Sequence, residues 1–316
     1  MTDGSTQRIW LELNTCVQYD GCMDQSRWRH PRWARREISE LDPFVDARRI
    51  SQLLFEARYG SPLLVRPLFS LAFARQVAVP AIAETLHRGG RGLILSDTAR
   101  RNDDTLVFFG LLFRHLGTPR ADRVLERIER MHARYHIPND LHLYTLATLA
   151  CLPERAARRL GVEELLSPRE SVALHAYWSE VGRRMGIDGI PSTSDAMLAW
   201  MLDFEASEYA PSRAGREVTA ALGREVATRL LPPALGAWGE RLFYALFDER
   251  LREVHGISAP RPMDAVLVRA ALRGFVIGTR WLPDGEERSL VDRYGHEYGA
   301  DPAPERVGPD AIAATA

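Results

Sequence analysis

The sequence contains no lysine, so all 41 of its basic side chains are arginines. Schiff-base catalysis, a lysine general base and the lysine of a phosphate-binding P-loop are therefore excluded. The glycine run at 87–92 is not a phosphate loop either, because no strand precedes it and no Lys-Ser/Thr pair follows it. We therefore do not expect a nucleotide-binding role.

Cysteine is scarce as well, with Cys16, Cys22 and Cys151 alone and no C-x-x-C motif. This pattern argues against a disulfide framework and against a thiolate metal cluster, and it suits a reducing compartment. No run of about 18 apolar residues occurs, and no basic stretch leads into an apolar segment near residue 1. We expect no membrane span and a cytoplasmic location.

The composition is that of a soluble globular protein, with 46% hydrophobic and 26% charged residues. A chain of 316 residues can bury enough surface for one large domain. The formal net charge of −1 gives no overall field that would attract nucleic acid, so we expect no nucleic-acid partner. Nothing in the composition indicates an oligomeric state.

Apolar residues recur at helical spacing along most of the chain, and no useful strand alternation appears, which predicts an all-α fold. We expect an N-terminal arm over residues 1–42 that packs on the domain, a helical domain over 43–281 and a mobile tail over 282–316. A partner-binding arm is the alternative for the first segment. We expect residues 92–96 to be extended and Ser167 with Glu170 to form a capping box. The main helices are predicted at 63–77, 80–86, 103–116, 120–135, 141–152, 168–185, 195–209, 216–230, 234–254 and 263–277.

The helix predicted at 103–116 is apolar on nearly all sides, which indicates a central buried element. Arg101 and Thr105 are four residues apart, so their side chains should stack on one face of this helix. In the next helix, His132 follows Leu125 and Ile128 at helical spacing, so its imidazole should point inward. An inward histidine is an ordinary buried side chain by default, and a metal ligand only if it is neutral and suitably placed.

Other histidines and aromatic residues leave alternatives open. His132 and His136 have the spacing at which one helix can chelate a metal, but no H-E-x-x-H motif or third ligand follows. His142, Tyr144, His175 and Trp178 could line a substrate pocket, although an aromatic core with satisfied polar ends is the simpler interpretation.

The order and spacing of several segments resemble the rubber-oxygenase catalytic domain, a family that includes latex-clearing proteins and the MpaB oxygenases. The Arg-to-Thr spacing of that family's Arg-x-x-Lys-Thr element is reproduced by Arg101 and Thr105, and His132 follows at a similar separation. The resemblance spans about residues 45–280. Further similar segments lie at 131–132, 139–146, 178–187 and 190–192.

The resemblance implies a single helical domain with a globin-like core that binds haem b. It implies His132 as the proximal iron ligand, Arg101 and Thr105 on the distal side, and Arg183 as a partner of a haem propionate. The implied substrates are dioxygen and a hydrophobic small molecule, namely an isoprenoid, an alkene or an aromatic natural product. The implied activity is that of an oxygenase or oxidase.

Asp104 occupies the position of the family's lysine. A carboxylate cannot act as a neutral amine ligand on the distal side of haem. We therefore do not expect this protein to share the rubber-cleaving activity of the latex-clearing proteins. Two other classes remain open: a non-catalytic haem carrier or sensor, and a helical interaction protein without a cofactor.

Overall fold

Helices form nearly all of the secondary structure of residues 31–308, the part of the chain that our computed structural model describes. This part contains fifteen α-helices and no β-strand in a single domain, which confirms the predicted all-α fold. The globin-like arrangement of the core stays a prediction. A π-helical turn, Leu54–Arg58, continues the second helix. The helices are α1 (Trp33–Glu40), α2 (Ala47–Leu53), α3 (Pro62–Gln76), α4 (Pro80–His87), α5 (Leu93–Ser96), α6 (Thr98–His115), α7 (Pro119–His132), α8 (Asn139–Leu160), α9 (Pro168–Arg184), α10 (Ser194–Glu208), α11 (Arg213–Leu230), α12 (Gly236–Tyr244), α13 (Glu249–His255), α14 (Pro262–Trp281) and α15 (Leu290–Tyr294).

Side-chain caps explain where two important helices begin. The Ser167 hydroxyl accepts a hydrogen bond from the Glu170 amide, and the Glu170 carboxylate accepts one from the Ser167 amide at 2.7 Å. The predicted capping box at the start of α9 is therefore confirmed. Asp97 accepts a hydrogen bond from the Arg100 amide at 3.1 Å, so α6 begins at Thr98, earlier than its apolar pattern predicted.

Helix α6 lies in the middle of the core, as its apolar sequence predicts. It packs against α2, α5, α7, α11 and α15, which cover it from different sides. Its neighbour α8 packs against α3, α9 and α10 and brings further apolar residues into the same core. The buried apolar residues of α6 are Leu106, Val107, Phe108, Leu111, Leu112 and Phe113.

Two local predictions are wrong. Residues 92–96 are not extended, because Leu93–Ser96 forms one helical turn that buries Ile94 in the core. The helix predicted over 234–254 is two helices, since Asp248 caps a new start by accepting a hydrogen bond from the Leu251 amide at 2.9 Å. In both places tertiary burial or a side-chain cap overrides the periodic pattern.

The prediction of a mobile tail from residue 282 is wrong for residues 290–308. Helix α15 packs on α6, and both Val291 and Val307 are fully buried, at 0% exposure. Arg127 of α7 donates hydrogen bonds to the Val307 carbonyl at 3.3 Å. The segment is rich in Pro, Gly, Asp and Glu, and its few apolar residues are too far apart to form a helical pattern. These apolar residues nevertheless pack on the domain. Residues 309–316 lie outside the described part.

The N-terminal arm predicted over 1–42 is described only from residue 31. Helix α1 packs against α2, and the Asp284 amide donates a hydrogen bond to the Pro31 carbonyl at 2.6 Å. The described end of the arm therefore packs on the domain. Residues 1–30 of the arm lie outside the described residues.

No single helix between residues 31 and 308 is long and apolar enough to cross a membrane. Helix α3 and the segment Pro80–Gly90 satisfy the length and composition criteria only as a pair, and the chain bends by 110° between them.

We predict that Gly110→Ala destabilises the protein by about 1–3 kcal/mol, as expected for an overpacked core. A Cβ atom at Gly110 in α6 would lie 2.8 Å from the Val291 backbone nitrogen and 3.0 Å from the Leu290 Cβ. The gain in helix propensity, at most about 1 kcal/mol, does not offset this clash. Urea unfolding measures the difference in the free energy of unfolding.

Gly274→Ala is the matched control, because a Cβ atom there meets nothing within 4 Å. This helical position in α14 should gain about 0.5–1 kcal/mol from alanine. Equal stability changes in the two variants would show that α15 does not pack on α6.

Candidate functional site

Arg101 and Thr105 stack on one face of α6, as their spacing predicts. The Arg101 guanidinium donates a hydrogen bond to the Thr105 hydroxyl, which in turn donates to the Arg101 carbonyl at 3.1 Å. The guanidinium carbon lies 5.3 Å from the centroid of the Phe73 ring. Burial lowers the pKa of Arg101, although arginine stays protonated near neutral pH. These contacts hold one positive charge inside the protein.

His132 is the last residue of α7, and its Nδ1 atom is buried with no hydrogen-bond partner among the described residues. Burial, together with the nearby His142 and Arg101, lowers the pKa of His132 to about 4. The imidazole is therefore neutral at pH 7, which is the form that can bind a metal. Because Arg101 influences this pKa, the two predicted site residues lie in one region of the protein.

His142 adjoins His132, with 5.3 Å between the ring centroids and 41° between the ring planes. It lies in the first turn of α8, and burial lowers its pKa. His142 is half-buried and does not belong to the wall of the apolar cavity described below. A stronger sequence indication was present: only residues 133–138 connect α7 to α8, so the end of one helix and the start of the next must lie close together.

Asp104 faces the C-terminal segment. The Tyr298 hydroxyl donates a hydrogen bond to Asp104 Oδ1 at 2.5 Å, and the carboxylate is only 4% exposed. Burial raises the pKa of Asp104, while Tyr298 and the arginines at 100 and 101 oppose that shift. The contact anchors residue 298 to α6, and a catalytic role for Asp104 stays a prediction.

Arg183 does not join the other predicted site residues. Its side chain is exposed, its Nε donates to the Ser179 carbonyl at 3.3 Å, and its guanidinium pairs with Glu180 at 3.1 Å. Both partners lie on its own helix, α9. These contacts are typical of a surface charge near a helix C-terminus, and a contact of Arg183 with a haem propionate stays a prediction.

An apolar cavity of about 50 Å³ lies between α3, α6, α8 and α9. Its wall includes Phe69, Phe109 and Trp178, and its polar side chains are limited to Thr148 and the indole of Trp178. Trp178 was a candidate for either a pocket or the aromatic core, and it lines this cavity. His175, in contrast, has a satisfied polar end, because its Nε2 lies 2.9 Å from the Pro191 carbonyl.

Aromatic rings connect the cavity to Arg101. The Phe73 ring, which contacts the Arg101 guanidinium, lies 6.0 Å from the Phe69 ring between centroids. Phe69 then contacts Phe109 at 6.2 Å, and Phe109 contacts Trp178 at 5.1 Å. The buried charge and the apolar cavity thus belong to one continuous region of the core.

Glu205 and Tyr144 belong to a separate buried network. Glu205 accepts hydrogen bonds from Arg75 at 3.1 Å, from Arg155 at 2.7 Å and from the Tyr144 hydroxyl at 3.2 Å. The Tyr144 hydroxyl also lies 2.7 Å from that of Tyr209. With both carboxylate oxygens engaged by arginines, Glu205 is a structural ion-pair partner, and Tyr144 does not line the site of His132.

His136 is exposed, so it does not share the buried position of His132. Between residues 31 and 308, no group of three or more His, Cys, Asp or Glu side chains is arranged to hold a metal ion. The chelating pair considered from the sequence is therefore not formed as a metal cluster in the described chain.

A family model described as "ER-bound oxygenase mpaB/B'/Rubber oxygenase, catalytic domain" matches residues 63–281. This match covers more than half of the chain, and the protein therefore belongs to this family of oxygenase catalytic domains. No curated protein matches the sequence. The family assignment confirms the resemblance seen in the order of the motifs.

The low pKa of His132 predicts an acid sensitivity. An unfolded histidine has a pKa of about 6.5 and so takes up a proton between pH 6.5 and 4, whereas folded His132 does not. Since the unfolded state then binds more protons, stability is lost as the pH falls through this window. Urea unfolding of the haem-free protein at pH 7 and pH 4.5 measures the decrease in the free energy of unfolding. We expect this decrease to be about 2 kcal/mol smaller in His132→Asn than in the wild type.

The exposed His136→Asn variant is the control and should keep the wild-type pH dependence. His255, whose pKa burial also lowers to about 4, contributes equally to all three proteins. An identical loss of stability in wild type and His132→Asn would contradict the buried, neutral state of His132.

Proposed function

We propose that this protein is a haem b-dependent oxygenase that acts on an apolar small molecule, with His132 as the protein ligand of the iron. The observation that carries the proposal is the neutral, partly buried imidazole of His132, whose Nδ1 atom is buried with no hydrogen-bond partner among the described residues. Buried polar atoms in native proteins almost always have a partner, so this one calls for an explanation. Coordination of a metal would supply it.

The donor set around His132 fits a porphyrin iron. Such an iron has four ligands from the porphyrin and needs only one from a protein, as in the globins, where a single histidine serves. His132 supplies one neutral imidazole, and His142 lies 5.3 Å away between ring centroids. When bound, haem supplies the dioxygen and one-electron chemistry that side chains cannot perform.

Arg101 and Thr105 contribute a fixed, partly buried positive charge and a hydroxyl group in the same region. Their mutual hydrogen bond and the contact with Phe73 hold the guanidinium in place before any ligand arrives. A preorganised positive charge in a site that excludes water stabilises negative charge far better than it does in water. We assign Arg101 to the stabilisation of negative charge on oxygen, with dioxygen as co-substrate.

The apolar cavity is the proposed binding site of the organic substrate. Phe69 and Phe109 form part of its wall and connect it to Arg101 through Phe73. Small-molecule sites are mostly apolar with a few polar groups, which matches this lining. The apolar lining suits an apolar ligand, and the expected classes of substrate, namely isoprenoids, alkenes or aromatic natural products, are part of this proposal.

Replacing His132 with alanine tests the ligand assignment. We predict that the wild type takes up haem in a 1:1 ratio with a Soret band, and that His132→Ala strongly weakens the band because the iron loses its protein ligand. Absorption spectra after haem titration measure this. His136→Ala, an exposed histidine four residues away, is the control and should leave the spectrum unchanged.

His142→Ala distinguishes the two neighbouring histidines. It should retain the Soret band with a small shift, because it removes a neighbour of His132 and leaves the ligand. A folded His132→Ala protein with full haem occupancy and an unchanged spectrum, together with loss of haem in His142→Ala, would transfer the ligand role to His142.

A second test concerns the charge of Arg101. Arg101→Gln should retain haem but bind cyanide at least tenfold more weakly, since it removes a charge-assisted interaction of about 1.5–3 kcal/mol. Arg100→Gln is the matched control, because it removes the same charge from a residue that interacts with Asp104 and Tyr298. Cyanide titrations followed at the Soret band measure both affinities. Equal weakening in the two variants would indicate a general charge effect, and failure of Arg101→Gln to fold would make Arg101 a structural residue.

A further inference from the structure

Helix α14 carries an apolar stripe that faces solvent. Its members are separated by three or four residues or by sums of these spacings, so they lie on one side of the helix. Between 43% and 83% of each large side chain of the stripe is exposed, and these side chains are Met263, Val266, Leu267, Ile277 and Trp281. Contiguous apolar surfaces of this kind mark interaction sites.

The opposite face of α14 is fixed to the domain. Val268, Leu272 and Val276 pack in an apolar cluster with residues of α8. In the first turn of the helix, Asp264 pairs with Arg241 of α12 at 2.7 Å, and the Asp264 side chain is 3% exposed. These contacts hold the helix along the surface of the domain, so the exposed stripe points outward.

The exposed charges of α14 are positive. Arg269 and Arg273 border the stripe on one side, because at about 100° per residue they fall between it and the buried face. Both guanidinium groups are exposed, and neither forms an ion pair with a residue between 31 and 308. Asp264, the acidic residue of this helix, is buried in its pair with Arg241. An apolar stripe beside a row of arginines calls for a partner that is both apolar and anionic.

A second copy of the chain does not supply this combination. A two-fold dimer uses the same patch on both subunits, so it would bring the same arginines to the interface twice. An anionic bilayer offers acyl chains to the stripe and negative headgroups to the arginines, whose long side chains reach outward to them. The indole of Trp281, at the end of α14, suits the boundary between the two layers.

We propose that α14 is a membrane-binding face, which lies flat in the headgroup region of an anionic bilayer. Met263, Leu267 and Ile277 enter the outer part of the acyl-chain layer, and Arg269 and Arg273 contact the headgroups. The protein is then bound peripherally, because the other face of the helix stays on the domain. This inference does not depend on the proposed haem site.

Flotation of the full-length protein with lipid vesicles tests the proposal. We expect binding to vesicles of phosphatidylcholine and phosphatidylglycerol in equal parts, and weaker binding to pure phosphatidylcholine or at high salt, which screens the arginines. Ile277→Asp should weaken binding about tenfold, because it places a charge in the apolar stripe. Arg269→Gln should weaken binding to the mixed vesicles about fivefold, as expected for one arginine near an anionic surface, and leave binding to pure phosphatidylcholine unchanged.

Leu202→Asp is the matched control, because it makes a similar change at a side chain of α10 that is 44% exposed. It should bind vesicles like the wild type, and circular dichroism checks the fold of each variant. No binding of the wild type to the mixed vesicles, or equal affinities of Ile277→Asp and Leu202→Asp, would overturn the proposal. A wild-type dimer in sedimentation equilibrium that Ile277→Asp dissociates, without vesicle binding, would assign the stripe to a second copy instead.

Discussion

Helix α6 must be covered on all sides, because it is apolar around most of its circumference. Helices α2, α7 and α11 cover part of it, and α15 closes another face at the position where Gly110 leaves room for the chain. The same helix carries Arg101 and Thr105 in its polar first turns and Phe109 at the cavity. Its burial therefore fixes the relative positions of the charge, the cavity and the C-terminal segment.

Burial also sets the chemistry of the polar residues beside α6. Desolvation favours the neutral form of His132 and opposes the charge of Arg101, whereas the nearby Asp104 carboxylate favours that charge. Asp104 points to Tyr298 and anchors the C-terminal segment.

The sequence predicted those parts of the fold that depend on local interactions. Helical periodicity and the Ser167 capping box identified most helices, and the i, i+4 spacing of Arg101 and Thr105 predicted their contact. The packed segment after residue 290 was missed because its apolar residues are too far apart to form a pattern. The direction of Asp104 depends on a contact with the distant Tyr298, which a one-dimensional pattern does not contain. The proximity of His142 to His132 was missed although the short connection over residues 133–138 indicates it.

The central claim is that the imidazole at position 132 binds the iron. The most direct measurement is the resonance Raman spectrum of ferrous His132→Gly protein, reconstituted with haem and supplied with free imidazole that occupies the vacated position. The account predicts an iron–imidazole stretching band that shifts when the added imidazole is ¹⁵N-labelled. A band that persists without added imidazole and ignores its isotope would show that another residue holds the iron.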